Sequence, residues 1–117
     1  VSVFAMIETA QGLSALDDIC AVPGLTGVYV GPADLAISLG RQPADAWTDP
    51  AVRDEMAAVA ATATSAGVVA GIHAGAGRLA HQVARLGFQM ITVTSESQAL
   101  RRGVAERLAE AAGEEKA

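Results

Sequence analysis

With 117 residues, 51% of them hydrophobic, 18% charged and 3% aromatic, the chain has the composition of a globular domain, not of a disordered segment. No apolar run approaches the ~20 residues that span a bilayer, and Glu8 interrupts the first apolar stretch, so neither a transmembrane helix nor a signal peptide is expected. Thirteen Asp and Glu against eight Lys and Arg give a net charge of −5, which argues against nucleic acid or an anionic membrane as the main partner.

Val3-Phe4-Ala5-Met6-Ile7 is a short apolar run that predicts a first strand buried on both faces. Leu13, Leu16, Ile19 and Cys20 recur at helical spacing and predict one helix over residues 12–20, broken by Pro23-Gly24. Cys20 is the only cysteine, so a disulfide framework and a thiolate metal cluster are excluded; a small core residue in a cytoplasmic protein is expected. Asp17 and Asp18 read as solvated surface. Gly27-Val28-Tyr29-Val30 predicts a second strand, ending at Gly31-Pro32. A short helical turn over residues 34–39 is closed by Gly40. Residues 41–48 form a polar loop carrying Pro43 and Trp47. Asp49-Pro50 opens a helix as N-cap and first helical residue, and Gly67 stops it after Ala66. Residues 68–72 predict a third strand, 77–86 a helix, and 88–94 contain a fourth strand. A last helix over residues 96–112 places Leu100, Val104, Leu108 and Ala111 on one face, and 113–117 is expected to be a frayed tail.

The pattern is four βα units in a single domain over residues 1–112, which implies an α/β fold with a parallel sheet. Four units suit either a small open sheet or half of a (β/α)8 barrel, since a complete barrel takes about 250 residues.

In parallel α/β architectures ligands meet the carboxyl ends of the strands. That rule selects Glu8-Thr9, Gly31-Pro32-Ala33-Asp34, His73-Ala74-Gly75 and Thr94-Ser95. A carboxylate closing an apolar strand, as Glu8 does, is costly to bury unless it is paired or bound to a metal. Asp34 follows the neighbouring strand at the equivalent edge, and the first basic residue of the chain is Arg41. Two such carboxylates suit a hard divalent cation completed by waters and substrate oxygens. The competing structural readings are a backbone donor for Glu8 and an N-cap role for Asp34. The amides that open a helix at Gly31, Ala33 and Asp34 are placed to receive a carboxylate, so a small 2-oxo acid fits there. His73 is a candidate for proton transfer or substrate contact, with a hydrogen-bonded structural histidine as the alternative. Ser95 and Thr94 are candidate substrate contacts, and Trp47 either packs at a subunit contact or covers the end of the barrel.

Taken together, Ile7-Glu8-Thr9-Ala10-Gln11-Gly12, Val22-Pro23-Gly24 and Gly27-Val28-Tyr29-Val30-Gly31-Pro32-Ala33-Asp34-Leu35 resemble the HpcH/HpaI aldolase/citrate lyase family. Ser38-Leu39-Gly40, Gly71-Ile72-His73 and Leu86-Gly87-Phe88 fit the same pattern, so the resemblance covers nearly the whole chain. It implies a TIM (β/α)8 barrel, of which this chain is expected to be the C-terminal half. It implies a divalent metal (Mg, Mn or Co) held by Glu8 and Asp34, with Gly31, Pro32, Ala33 and Asp34 around the oxo-acid carboxylate. It implies a lyase of the class II pyruvate aldolase type, cleaving 4-hydroxy-2-oxo acids through a metal-stabilised pyruvate enolate. Pyruvate or a related 2-oxo acid and an aldehyde are the implied small-molecule partners, and a homo-oligomer, with last helices packed between neighbours, the implied assembly. The catalytic Arg and His of the family's N-terminal half have no matching position here, and Met6 stands where well-known members carry Gln. Alone, the chain is therefore expected to be an incomplete catalyst.

Three rival readings differ in class. Citrate-lyase-like thioester cleavage belongs to the same family. A non-catalytic half-barrel assembly module would expose two sheet edges and an apolar inner face. Gly75-Ala76-Gly77-Arg78-Leu79-Ala80 with Glu96 about 20 residues on outlines a dinucleotide fingerprint, but in the third βα unit and not at the start of the fold.

Overall fold

Four short strands run parallel and lie side by side in chain order: β1 (Phe4–Ile7), β2 (Gly27–Val30), β3 (Val69–His73) and β4 (Met90–Thr92). The computed structural model describes residues 1–113. Each strand pairs with the next in sequence and the order never reverses. A doubly wound dinucleotide fold binds its ligand where the strand order reverses, and among the described residues no such switch point exists. Sequential parallel strands are the arrangement of consecutive barrel units.

The register aligns Ile7, Val30, Ile72 and Ile91 in one row across the sheet. Those residues, with Val28 and Ala70, face the helices. The central helix α4 (Pro50–Ala66) buries Val52, Met56, Val59, Ala60 and Ala63 into the same core. Asp49 caps it by accepting from the Ala51 amide, and Gly67 ends it in the left-handed region at φ 73°. A hydrogen bond from Arg41, then that from Ala51, holds the Asp49 carboxyl below its usual range. Cys20 is buried in this core, and its desolvation, with Asp17 nearby, pushes the thiol up.

Beyond shifts of one or two residues at β3 and at the helix that follows it, three features differ from the sequence reading. Residues 10–20 form two helices, α1 (Ala10–Ser14) and α2 (Leu16–Cys20), because Ala15 leaves helical geometry at φ −100°, ψ 10°. Half-buried Leu13 and buried Leu16 lie on either side of that break. Helix α3 (Pro32–Ser38) begins two residues before Asp34. Proline is pre-organised for the first helical position, so Gly31 is the N-cap and Asp34 lies in the first turn instead of capping it. The loop at 41–48 contains a 3₁₀ turn, Pro43–Trp47, fixed by reciprocal Gln42 and Asp45 capping. The helices α5 (Gly77–Ala84) and α6 (Glu96–Ala111) complete the alternation. Of the expected frayed tail, residues 114–117 lie outside the described residues.

The first strand is not buried on both faces. Met6 is 53% exposed while Ile7 is fully buried. Phe4, Met6, Tyr29, His73, Met90 and Thr92 form the face opposite the helices, and among the described residues no element covers it. Helix α6 likewise buries none of its residues: Leu100 and Leu108 are 69% and 65% exposed. The radius of gyration, 16.8 Å, exceeds the about 13 Å of a compact chain of this length, as these unpacked faces require. No helix among the described residues is long and apolar enough to cross a membrane.

Candidate active site

At the carboxyl end of the sheet lies a cleft of about 430 Å³. Its floor comes from the last residues of β1, β2 and β3 and the turns that follow them. Glu8, Gly31, Pro32, Ala33, Asp34 and His73 all line it. These are the sequence-derived candidates, and the fold gathers them because the register places residues 8, 31 and 73 one step beyond the aligned row of Ile7, Val30 and Ile72.

Each candidate is set by its local sequence. Thr9 caps α1 by accepting from the Gly12 amide at 3.0 Å, so the chain turns away directly after Glu8. The Ala10 amide donates to Ser38 Oγ at 2.9 Å, tying the start of α1 to the end of α3. Gly31 lets Glu8 approach closely: a Cβ there would lie 2.8 Å from Glu8 Oε2. The amides of Ala33 and Asp34 belong to the first turn of α3 and have no intrahelical partner.

Among the described residues, Glu8 and Asp34 are the only charged side chains lining the cleft. Among the described residues neither makes a hydrogen bond or an ion pair. No group of three or more His, Cys, Asp or Glu gathers at one point among the described residues. A cage built wholly of protein ligands is therefore not formed. Two unpartnered carboxylates without a nearby cation fit an ion of the magnesium type, which keeps several waters and uses one or two carboxylates.

Ser95 does not line this cleft. It caps α6, where its hydroxyl accepts from the Gln98 amide at 3.3 Å and its own amide donates to Gln98 Oε1 at 3.2 Å. Three further residues belong to the neighbourhood: Trp47, for which covering the end of the barrel is one of two sequence readings, and Tyr29 and Thr92, which the sequence did not single out. Trp47, half-buried, is carried into the cleft wall by the 3₁₀ turn, and Tyr29 lines the wall from the open face of β2. Thr92, at the end of β4, holds His73: its Oγ1 lies 2.8 Å from His73 Nδ1 and is also hydrogen-bonded to the Tyr29 hydroxyl.

The close fit at Gly31 has a direct consequence. Gly31→Ala is expected to fold normally, because the clashing atom is the far end of a flexible side chain. The Glu8 carboxylate must move, and divalent-cation affinity should fall about 10- to 100-fold, as when a metal ligand loses its orientation. Calorimetric titration with Mg²⁺ beside a thermal melt checks both halves.

The family model of the HpcH/HpaI aldolase/citrate lyase proteins matches residues 1–102. The chain belongs to this family. Similar proteins include a hydroxypyruvate/pyruvate aldolase of Rhizorhabdus wittichii, 37% identical over 92 residues, which covers 79% of this chain and 37% of that protein. One of the same name from Paraburkholderia phytofirmans is 34% identical over 110 residues, covering 94% of this chain and 42% of that one. Among solved structures, an HpcH/HpaI family protein from Burkholderia cenocepacia J2315 superposes with a TM-score of 0.86 at 39% identity, over 95% of this chain and 42% of the other. An HpcH/HpaI aldolase from Desulfitobacterium hafniense DCB-2 gives 0.83 at 27%, over 94% and 42%. The chain thus spans about two fifths of the length of the relatives it matches. This HpcH/HpaI chain carries its two cleft carboxylates within the matched region.

Proposed function

We propose that this chain forms the cation- and oxo-acid-binding part of a class II pyruvate-type aldolase. The carrying observation is the pair of unpartnered carboxylates, Glu8 and Asp34, in one cleft with the free first-turn amides of α3. Bound by Glu8 and Asp34, a divalent ion (Mg, Mn or Co) supplies Lewis acidity to the 2-oxo group of the substrate. The amides of Ala33 and Asp34 receive the oxo-acid carboxylate at the positive end of α3. Met6, Pro32 and Trp47 give that cleft an apolar wall. The bond cleaved is the one between C3 and C4 of a 4-hydroxy-2-oxo acid, giving pyruvate and an aldehyde; similarity to named pyruvate aldolases supports this choice.

The test is exchange of the pyruvate methyl protons with D2O, followed by NMR. Enolisation needs the oxo-acid site, the cation and a base for the C3 proton, which the buffer supplies. We expect the chain to accelerate exchange in the presence of Mg²⁺, and Asp34→Asn to remove the acceleration. Exchange no faster than with Mg²⁺ alone overturns the proposal.

The assembly we propose is a homo-oligomer with α6 in the contact, since Leu100, Val104 and Leu108 form an exposed stripe along it. Monomers seldom leave such a stripe bare. Sedimentation should show association, and Leu100→Arg with Leu108→Arg should shift the population to monomer without a change in circular dichroism. An unchanged distribution contradicts that contact.

A further inference from the structure

The open face of the sheet carries a chain of three side chains, Tyr29, Thr92 and His73, on three adjacent strands. Gly71 makes it geometrically available. A Cβ at that position would lie 2.8 Å from Tyr29 Cδ2, so the glycine leaves room for the ring to cross β3 and reach β4. The Thr92 hydroxyl has one proton and meets two partners, so it donates to one and accepts from the other. The phenol is the most acidic hydroxyl of the set and the imidazole nitrogen the most basic acceptor. The heavy-atom geometry allows either direction; on that acidity order we assign the chain from Tyr29 Oη–H to Thr92 Oγ1, and from Thr92 Oγ1–H to His73 Nδ1, each bond polarising the next. That direction leaves the ring proton on Nε2. The Nε2 edge lies beside Gly75 in the cleft lining, where a Cβ would stand 3.5 Å from it.

We propose that Thr92 is a positioning residue: its hydroxyl, anchored by Tyr29, fixes His73 with Nε2–H facing the cleft, where it donates to the 4-oxygen of an aldol substrate. The proposal rests on the oxo-acid reading of the cleft. Glu8 directly follows β1, its carboxylate reaches over Gly31 at the end of β2, and His73 ends the adjacent β3. An oxo acid held at the Glu8 and Asp34 end by its carboxylate and 2-oxo group leaves its C4 end for the rest of the cleft, which His73 also lines. In the cleavage direction the 4-hydroxyl gives its proton to solvent base and the donor supports the resulting oxyanion, which becomes the aldehyde carbonyl; in the addition direction it meets the oxygen on which charge develops before water protonates it.

Two measurements on the whole chain test this. The first needs no ligand: ring-nitrogen NMR of His73, with His81→Gln used to remove the other imidazole. A bare Nδ1 and a protonated Nε2 are expected. In Thr92→Val both nitrogens should move toward the averaged values of a mobile ring, and Thr92→Ser should restore them. A protonated Nδ1 in the native chain, or nitrogens unmoved by Thr92→Val, overturns the positioning role. Tyr29→Phe removes the same chain of bonds from its other end, should Thr92→Val fail to fold.

The second compares binding of 4-hydroxy-2-oxopentanoate with 2-oxopentanoate in the presence of Mg²⁺. One good hydrogen bond corresponds to a preference of about 10-fold for the hydroxylated acid. Thr92→Val should bring that ratio close to one, and Thr92→Ser should recover it. An unchanged ratio overturns the contact while leaving the oxo-acid site standing. A chain that binds neither acid overturns the oxo-acid reading and the contact with it, and the ring-nitrogen spectrum then decides the positioning role by itself.

Discussion

Glu8→Gln and Asp34→Asn each remove divalent-cation binding, with affinity falling more than about 100-fold, whereas the fold persists. The expectation follows from the state of the two carboxylates. Neither is tied to another group among the described residues, so neither stabilises the fold through a partner that would be orphaned by its loss. Among the described residues they are the two charged side chains that line the cleft, and a hard cation that uses one or two carboxylates would depend on each of them. Neutralising an outer-sphere partner alone costs 10- to 100-fold in typical sites, so loss of a direct ligand should exceed that. Calorimetric titration with Mg²⁺ reads the affinity, and circular dichroism the fold. Asp17→Asn, an exposed acid outside the cleft, is the control and should leave binding unchanged. If Glu8→Gln and Asp17→Asn behave alike, the cation is held by diffuse surface charge and the site is misplaced.

Gly27→Ala should be the most destructive single methyl group in the chain. Built there, a Cβ lies 2.3 Å from the Val69 carbonyl oxygen, 2.6 Å from Phe4 Cε1 and 2.9 Å from Val69 Cβ. Phe4 and Val69 are the register partners of Gly27 on either side, so relief requires the backbone of β2 or β3 to move. Overpacking of this kind costs upward of ~3 kcal/mol, a large part of the ~5–15 kcal/mol available to a small domain. Denaturant unfolding should show a transition midpoint shifted far down or no cooperative transition. Gly103→Ala is the counter-case: nothing lies within 4 Å of its Cβ, and it sits inside α6. Removing a glycine from a helix interior should raise stability by about 0.5–1 kcal/mol.

Much of this site was legible without coordinates, for identifiable reasons. Glu8 stands out because a carboxylate ends an apolar strand, and Asp34 because it follows the next strand at the same edge. Helix α4 announces both its ends, through Asp49-Pro50 and Gly67. The parallel sheet follows from the βα alternation, whereas its strand order, β1-β2-β3-β4, comes from the structure. What was missed depends on register and competition. Tyr29, Gly71 and Thr92 meet only because three strands align them across 63 residues of sequence. No spacing rule along the chain carries that information. The helix is expected from the sequence to begin at Asp34, with an N-cap role as the competing reading for that residue, but Pro32 starts it earlier. Ser95 illustrates the reverse. Ser95-Glu96-Ser97-Gln98 is a capping-box pattern that occupies the hydroxyl in holding α6.

The central claim is that Glu8 and Asp34 create one site for a divalent ion and a 2-oxo acid together. Its most direct test is an EPR titration of Mn²⁺ into the chain, with and without pyruvate. The free Mn²⁺ signal should be lost as the chain is added, and the affinity should rise when pyruvate is present. A chain shown to be folded by circular dichroism that leaves the Mn²⁺ signal intact, or binds it equally well with and without pyruvate, contradicts the account.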